Sequence, residues 1–277
     1  MSGRYAPLSL EQLLELEGGA LHFSTLKHIA ESPLHFRHAL TSPFEPSRAM
    51  RVGTVVHHLV LGRQGARDVV TWPDRRAGKA WEAFKAKHEA AGNEIVAAAE
   101  WEEAEPIAEA VREHEGARRL IAGARCEVPL RWTINGVHFA TRGIDIVQPG
   151  LGIADLKMAR SVSPRLFPRE AMRMHYHVQL AAYEEGAIQN GIDTTGGVRL
   201  LAVESKPPYA VQIFRLTPAL LELGRKQLAL WIEQLKACAA AAHWPAYSQT
   251  EIDWDAPLDS LEIELDDEED EAAPDAA

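Results

Sequence analysis

CEVPLRWTINGVHFATRGIDIVQPGLGIADLKM, residues 126–158, holds three apolar, β-branched runs separated by two turn motifs. Asn135-Gly136 between the first two runs is the dipeptide that two-residue hairpin turns prefer, because both central residues need positive φ. Pro149-Gly150 turns the chain again. The spacing predicts strands over 126–133, 137–147 and 152–158, folded as an antiparallel meander. Downstream, a helix is predicted over 168–190. GVRLLAVES (197–205) and YAVQIFRL (209–216) form a hairpin across Lys206-Pro207-Pro208, and Thr217-Pro218 starts a helix running to about residue 242. Upstream, helices are predicted over 9–18 and 23–40, capped by Ser9 and Ser24, with Pro33 marking a break or a new first turn. Residues 41–48 are a Pro/Ser loop. Met50–Leu61 reads as a helix rather than a strand, because Gly53, His57 and Val60 then share one face. Residues 62–78 read as irregular, and helices follow over 79–91 and 99–122.

Composition narrows the function classes. The 277 residues are 46% apolar and 25% charged, as in ordinary globular proteins. No 18-residue apolar run is present, so no membrane partner is expected. Acids among the first residues interrupt what a signal peptide would need, and secretion is not expected. The two cysteines, Cys126 and Cys238, cannot supply a four-cysteine zinc site or iron–sulfur cluster. A reducing cytoplasm is the expected location. The formal charge of −11 is uneven: 13 acids and no Lys or Arg fall in 251–277, which leaves +2 on residues 1–250. The expected organisation is a near-neutral domain over 1–250 and an acidic, disordered tail over 251–277. The acidic balance of the whole chain therefore does not exclude a nucleic-acid partner for the body. The tail itself mimics DNA, contacts a partner or aids solubility.

The chemistry centres on Asp145, Asp155 and Lys157. Residues two apart on a strand face the same way, so Asp155 and Lys157 project together. Hairpin pairing across Pro149-Gly150 sets Asp145 beside Asp155. Adjacent carboxylates repel, and a divalent cation removes that cost. Oxygen ligands that keep several waters suit Mg²⁺ or Mn²⁺. A lysine beside such a metal holds or helps deprotonate an attacking water, which together make a phosphodiester hydrolysis site. Taken alone, D…D-x-K also describes three charges on the wet face of a sheet. Glu127 on the preceding strand is either a further carboxylate of this set or a surface charge. Gln179 and Tyr183 share a helix face at i,i+4, where they contact DNA, orient Lys157 or simply pack. His57 is either a core histidine or a ligand. Arg160, Arg165, Arg169 and Arg173, following Lys157, are a candidate phosphate track or a solvated helix face, and Arg142 is placed to meet a phosphate.

GTVVH (53–57), RGID (142–145), DLK (155–157) and QLAAY (179–183) occur in that order. The ordered set resembles the PD-(D/E)XK nuclease superfamily in its RecB-like branch. STLKHIAESPLHFRHAL (24–40) and GKAWEAF (78–84) are similar to the nuclease domain of exonuclease VIII, the RecE-like exonucleases of phages and prophages, over roughly residues 20–245. The resemblance implies an α/β fold with a restriction-endonuclease-like core, a central mixed sheet flanked by helices. It implies His57, Asp145, Asp155 and the Leu156 carbonyl as metal ligands and Lys157 as the catalytic lysine. Glu127 would be an accessory acid, and Gln179 and Tyr183 the helix motif of the branch. It further implies Mg²⁺-dependent, two-metal-type exonucleolytic digestion of linear duplex DNA from the 5′ end, releasing mononucleotides. Double-stranded DNA ends, a RecT-like single-strand annealing protein and a ring-shaped homo-oligomer would be the partners, in a bacterial or phage-infected cell. An endonuclease or helicase-associated nuclease on the same core, and a catalytically silent DNA-binding module, are the alternatives. Two departures stand out. Met158 and Ala159 follow the lysine, where relatives often have a hydroxyl residue, and Ser161 comes only later. His58 also competes with His57, although the glycine spacing favours His57.

Overall fold

The computed structural model describes residues 8–43, 45–62, 68–248 and 250–253. The chain divides into Met1–Pro245, which holds the fold, and Ala246–Ala277. The predicted tail lies almost wholly outside the described residues.

The meander forms as the turn motifs require. Strands β3 (Arg125–Ile134), β4 (Val137–Gln148) and β5 (Gly152–Ala159) pair antiparallel in sequence. Asn135 and Gly136 both have positive φ, 48° and 76°, and close the first turn. β5 then pairs parallel with β6 (Val198–Glu204), and β6 pairs antiparallel with β7 (Val211–Arg215). The order β3-β4-β5-β6-β7 is thus a mixed sheet with β5 at its centre.

Helices cover both faces. On one side lie α1 (Leu10–Glu15), α2 (Phe23–Leu26), α3 (Pro33–Thr41), α9 (Tyr176–Gln189) and α10 (Pro218–Ala241). Their core contains Phe36, Phe139, Ile153, Leu180 and Ile232, all nearly inaccessible. On the other side α4 (Arg48–Leu61), α6 (Ala98–Glu113) and α7 (Glu115–Ile121) bury Val55, Val56, Ile107 and Val111 against Ile146, Leu156 and Leu201. β5 and β6 are therefore covered on both faces, as expected of strands paired in parallel at the centre of a sheet, and Asp155 and Lys157 are the charged exceptions on β5. Ser9, Ser47 and Thr217 cap α1, α4 and α10 through their side-chain oxygens.

Several predicted elements are corrected. The helix over 23–40 is broken into α2, a 3₁₀ turn (Lys27–Ala30) and α3, and the capping serine is Ser32 ahead of Pro33 rather than Ser24. The region read as irregular contains β1 (Val69–Trp72), which pairs parallel with β2 (Glu94–Ala97) across α5 (Gly78–Ala90). The 99–122 helix divides at His114 into α6 and α7. The 168–190 helix divides into α8 (Phe167–Arg173) and α9, because His175 sits in the left-handed region at φ 57°.

Candidate active site

The site forms where β4 and β5 part. Their ladder runs Gln148↔Gly152, Val147↔Ile153 and Ile146↔Ala154, and the next positions in that register are Asp145 and Asp155. There the side chain takes over from the backbone: the Leu156 N–H donates to Asp145 Oδ2 at 2.7 Å. The fork explains why two carboxylates meet inside a sheet without a backbone pair between them.

The glycine before Asp145 has a steric reason. A Cβ at Gly143 would lie 2.7 Å from the Glu127 Cα and 2.8 Å from its carbonyl carbon. Glu127 itself is in the left-handed region at φ 49°, unusual for a residue with a side chain. Cys126↔Ile146 and Val128↔Ile144 place it opposite Asp145 in register. Yet the charges acting on Asp145 are those of Asp155, His57 and Lys157. The irregular backbone at Glu127 thus shapes the strand pair at the position opposite Asp145.

Asp155 is 3% exposed, and Lys157 Nζ lies 2.5 Å from its Oδ2. That oxygen has no well-angled hydrogen bond, so charge and proximity hold the pair. Burial, then the Asp155 charge, push the Asp145 carboxyl up to about 6 against the opposing pull of His57, Lys157 and the Leu156 N–H. Burial works against the Lys157 ammonium, but the charges of Asp155, 2.5 Å away, and of Asp145 outweigh it. Lys157 is held above the ordinary lysine range. The Tyr176 ring covers this ammonium at 5.1 Å.

Helix α4 delivers His57. Its Nε2 donates to the Leu156 carbonyl at 3.1 Å, since a carbonyl only accepts, and its Nδ1 lies 3.7 Å from Asp145 Oδ1. His58 points elsewhere and packs against Trp101 at 5.7 Å. Between the two candidates, the structure brings His57 to the aspartates.

From α9, the Gln179 amide donates to the Tyr183 hydroxyl at 3.1 Å, and Thr141 Oγ1 on β4 donates to the same oxygen at 3.3 Å. Tyr183 is buried, and its pKa is raised by burial and by Asp155. The pair therefore ties α9 to β4 beside the lysine, with Tyr183 buried and Gln179 half-buried. Thr141 was not apparent from sequence, although it lies one residue before the RGID motif.

Lys27 is the other residue the sequence reading missed. It is half-buried, has no ion-pair partner among the described residues, and has its pKa lowered by burial and by the Lys157 charge. A cavity of about 350 Å³ is lined by Lys27, His28, Glu31, Arg173 and His175. Arg173 is the member of the predicted basic track that reaches this cavity. Arg142, Arg160, Arg165 and Arg169 are exposed on the surface.

The donor set fits a hard divalent cation. Among the described residues no group of three or more His, Cys, Asp or Glu forms a ready-made cage. Two close carboxylates, one of them hard to ionise, a carbonyl oxygen and an imidazole leave the remaining positions to water, which Mg²⁺ tolerates and a structural zinc site does not. Asp145, Asp155, the Leu156 carbonyl and His57 are the groups that would hold it.

Residues 22–252 match the model of a PDDEXK-like domain of unknown function (DUF3799). The chain belongs to this PD-(D/E)XK family. No curated protein matches it. A solved structure from Eubacterium rectale, provisionally described as an exonuclease, superposes with a TM-score of 0.61 at 16% identity, over 94% of this chain and 98% of its own. That likeness is one of fold, and it spans the mixed sheet and its flanking helices. PD-(D/E)XK proteins typically use divalent metals, in keeping with the donor set at the β4–β5 fork. No helix of the described residues is long and apolar enough to cross a membrane.

Proposed function

We propose that this chain is a Mg²⁺-dependent deoxyribonuclease that digests linear double-stranded DNA from its 5′ ends, releasing mononucleotides. The observation that carries the reading is the meeting of Asp145, Asp155 and Lys157 at the fork of β4 and β5, with His57 against Asp145. A divalent cation held there would polarise the scissile phosphoryl group and lower the pKa of the attacking water. Asp145 and Asp155 orient that water by accepting its hydrogen bonds. Lys157, kept protonated by its two carboxylates, acts by neutralising charge that builds on the phosphoryl oxygens rather than as a free base. Tyr176 shields it from solvent, and the Gln179–Tyr183–Thr141 hydrogen bonds fix the helix beside it.

The cations around the 350 Å³ cavity support a polyanionic substrate. Lys27 stands near a second lysine and forms no ion pair among the described residues, a cost that a DNA phosphate would offset. Digestion from an end, an annealing-protein partner and a ring assembly follow from the resemblance to RecE-like exonucleases. Linear duplex labelled at the 5′ or the 3′ end tests the polarity. The expected result is early release of the 5′ label as a mononucleotide. Early release of the 3′ label, or labelled oligonucleotides from internal cuts, would contradict it.

A further inference from the structure

The surface made by β1, the segment after it and α5 has no part in the site described above. α5 is thirteen residues long and buries none of them fully. Such a helix gains little from the core, and its stability depends on what else it meets. Its aromatic residues are not scattered. Trp72 of β1 packs on Trp81 at 5.7 Å and on Phe84 at 4.8 Å, and Phe84 packs on His88 at 4.2 Å. All four rings are only half-buried. Arg76 lies 5.6 Å from the centre of the Trp81 ring.

Cations are dense beside these rings, though not alone. Residues 74–89 carry Arg75, Arg76, Lys79, Lys85 and Lys87 against Asp74, Glu82 and Glu89, with Lys85 3.9 Å from Glu89, and Glu102 and Glu105 line the pocket on the Phe84–His88 side. Arg75, Arg76, Lys79 and Lys87 are exposed. The surface also adjoins the helix that brings His57: Arg76 and Arg51 of α4 share the buried Glu100, at 3.6 and 2.7 Å. A Cβ at Gly53 on α4 would come 3.9 Å from the Met158 sulfur, next to Lys157.

We propose that Trp72, Trp81 and Phe84, with Arg75, Arg76 and Lys79 beside them, form a stacking surface for single-stranded DNA. Exposed π-faces set among cations bind single strands with little sequence preference, because every base offers a face and every nucleotide a phosphate. A duplex hides its bases and would meet only the cations. The nuclease reading supplies the source of the strand, the one left unpaired as its complement is digested, and the inference rests on that reading for this point alone.

The test is binding of fluorescein-labelled dT20 and of a blunt 20-base-pair duplex, followed by anisotropy in EDTA so that no hydrolysis occurs. The proteins are the wild type, Trp81→Ala, Trp81→Phe and the double variant Lys79→Glu/Lys85→Glu. Because α5 buries no residue fully, Trp81→Ala should melt within a few degrees of wild type, which a thermal scan checks. The expected result is about tenfold or greater weakening of dT20 binding in Trp81→Ala and in the lysine pair, near-recovery in Trp81→Phe, and duplex binding unchanged in Trp81→Ala. Equal dT20 binding by a folded Trp81→Ala would overturn the proposal. So would a parallel loss of duplex and dT20 binding, or sedimentation showing that the substitution only breaks apart copies of the chain. A protein that digests no DNA but passes this test would refute the nuclease reading and leave the stacking surface standing.

Discussion

Asp145 occupies the position where the β4–β5 ladder would continue, and its carboxylate, not a carbonyl, meets the Leu156 N–H. Burial there, and then the charge of Asp155 beside it, raise the Asp145 pKa from 3.8 to about 6, against the pull of the Leu156 N–H. A raised pKa means that the folded state binds the proton better than the unfolded chain, so stability falls as pH rises from about 4 to about 6. The cost is at most about 3 kcal/mol for a shift of this size. In metal-free protein, Asp145→Asn keeps the acceptor for Leu156 and removes the charge. It should be more stable than wild type by about 1–3 kcal/mol at pH 8, with the difference closing towards pH 4. Thermal melts in EDTA at pH 4.5 and pH 8 check this, and a gap that widens on acidification would sink the explanation. The Asp145–Asp155–Lys157 cluster was legible because strand period and turn length determine which residues adjoin. Lys27 was not, since a contact between residues 27 and 157 depends on how distant elements pack.

Among the elements, the meander and the β6–β7 hairpin were readable because each turn carries its own chemistry, Asn-Gly or Pro-Gly or Pro-Pro. β1 and β2 were not, since four residues of half-buried strand show too little alternation and pair in parallel across an intervening helix. The break at His175 was also hidden, because neither proline nor glycine marks it and only packing holds a histidine at φ 57°. Two glycines of the motifs separate by their surroundings. Gly143→Ala drives a Cβ into the Glu127 backbone at 2.7 Å and should destabilise the protein by about 2 kcal/mol or more. Gly53→Ala meets only the flexible Met158 side chain at 3.9 Å and should stabilise α4 by about 0.5–1 kcal/mol. Denaturant melts of both variants decide the point, and a tolerated Gly143→Ala would show that the two strands have room to separate.

At the scale of the molecule, the mixed sheet puts β5 at the centre with a helical layer on each face, so the strand that carries Asp155 and Lys157 is the most buried strand among the described residues. The α/β class followed from the alternation of runs and helices. The parallel step from β5 to β6 did not, because it depends on the crossover through α8 and α9 packing on one face. Burial of Asp155 and partial burial of Lys157 suit a site that holds its charges fixed while a long polyanion comes to it.

The central claim is that this fork of strands hydrolyses DNA from free ends. The most direct measurement is digestion of linear and of covalently closed circular duplex DNA in Mg²⁺, comparing wild type with Asp155→Ala. The account predicts that wild type degrades the linear form and spares the circle, and that Asp155→Ala slows linear digestion by a factor on the order of 10²–10³ or more. Cutting of the circle would make the enzyme an endonuclease on the same core. Linear DNA left intact by folded wild-type protein, or digested equally by Asp155→Ala, would contradict the account.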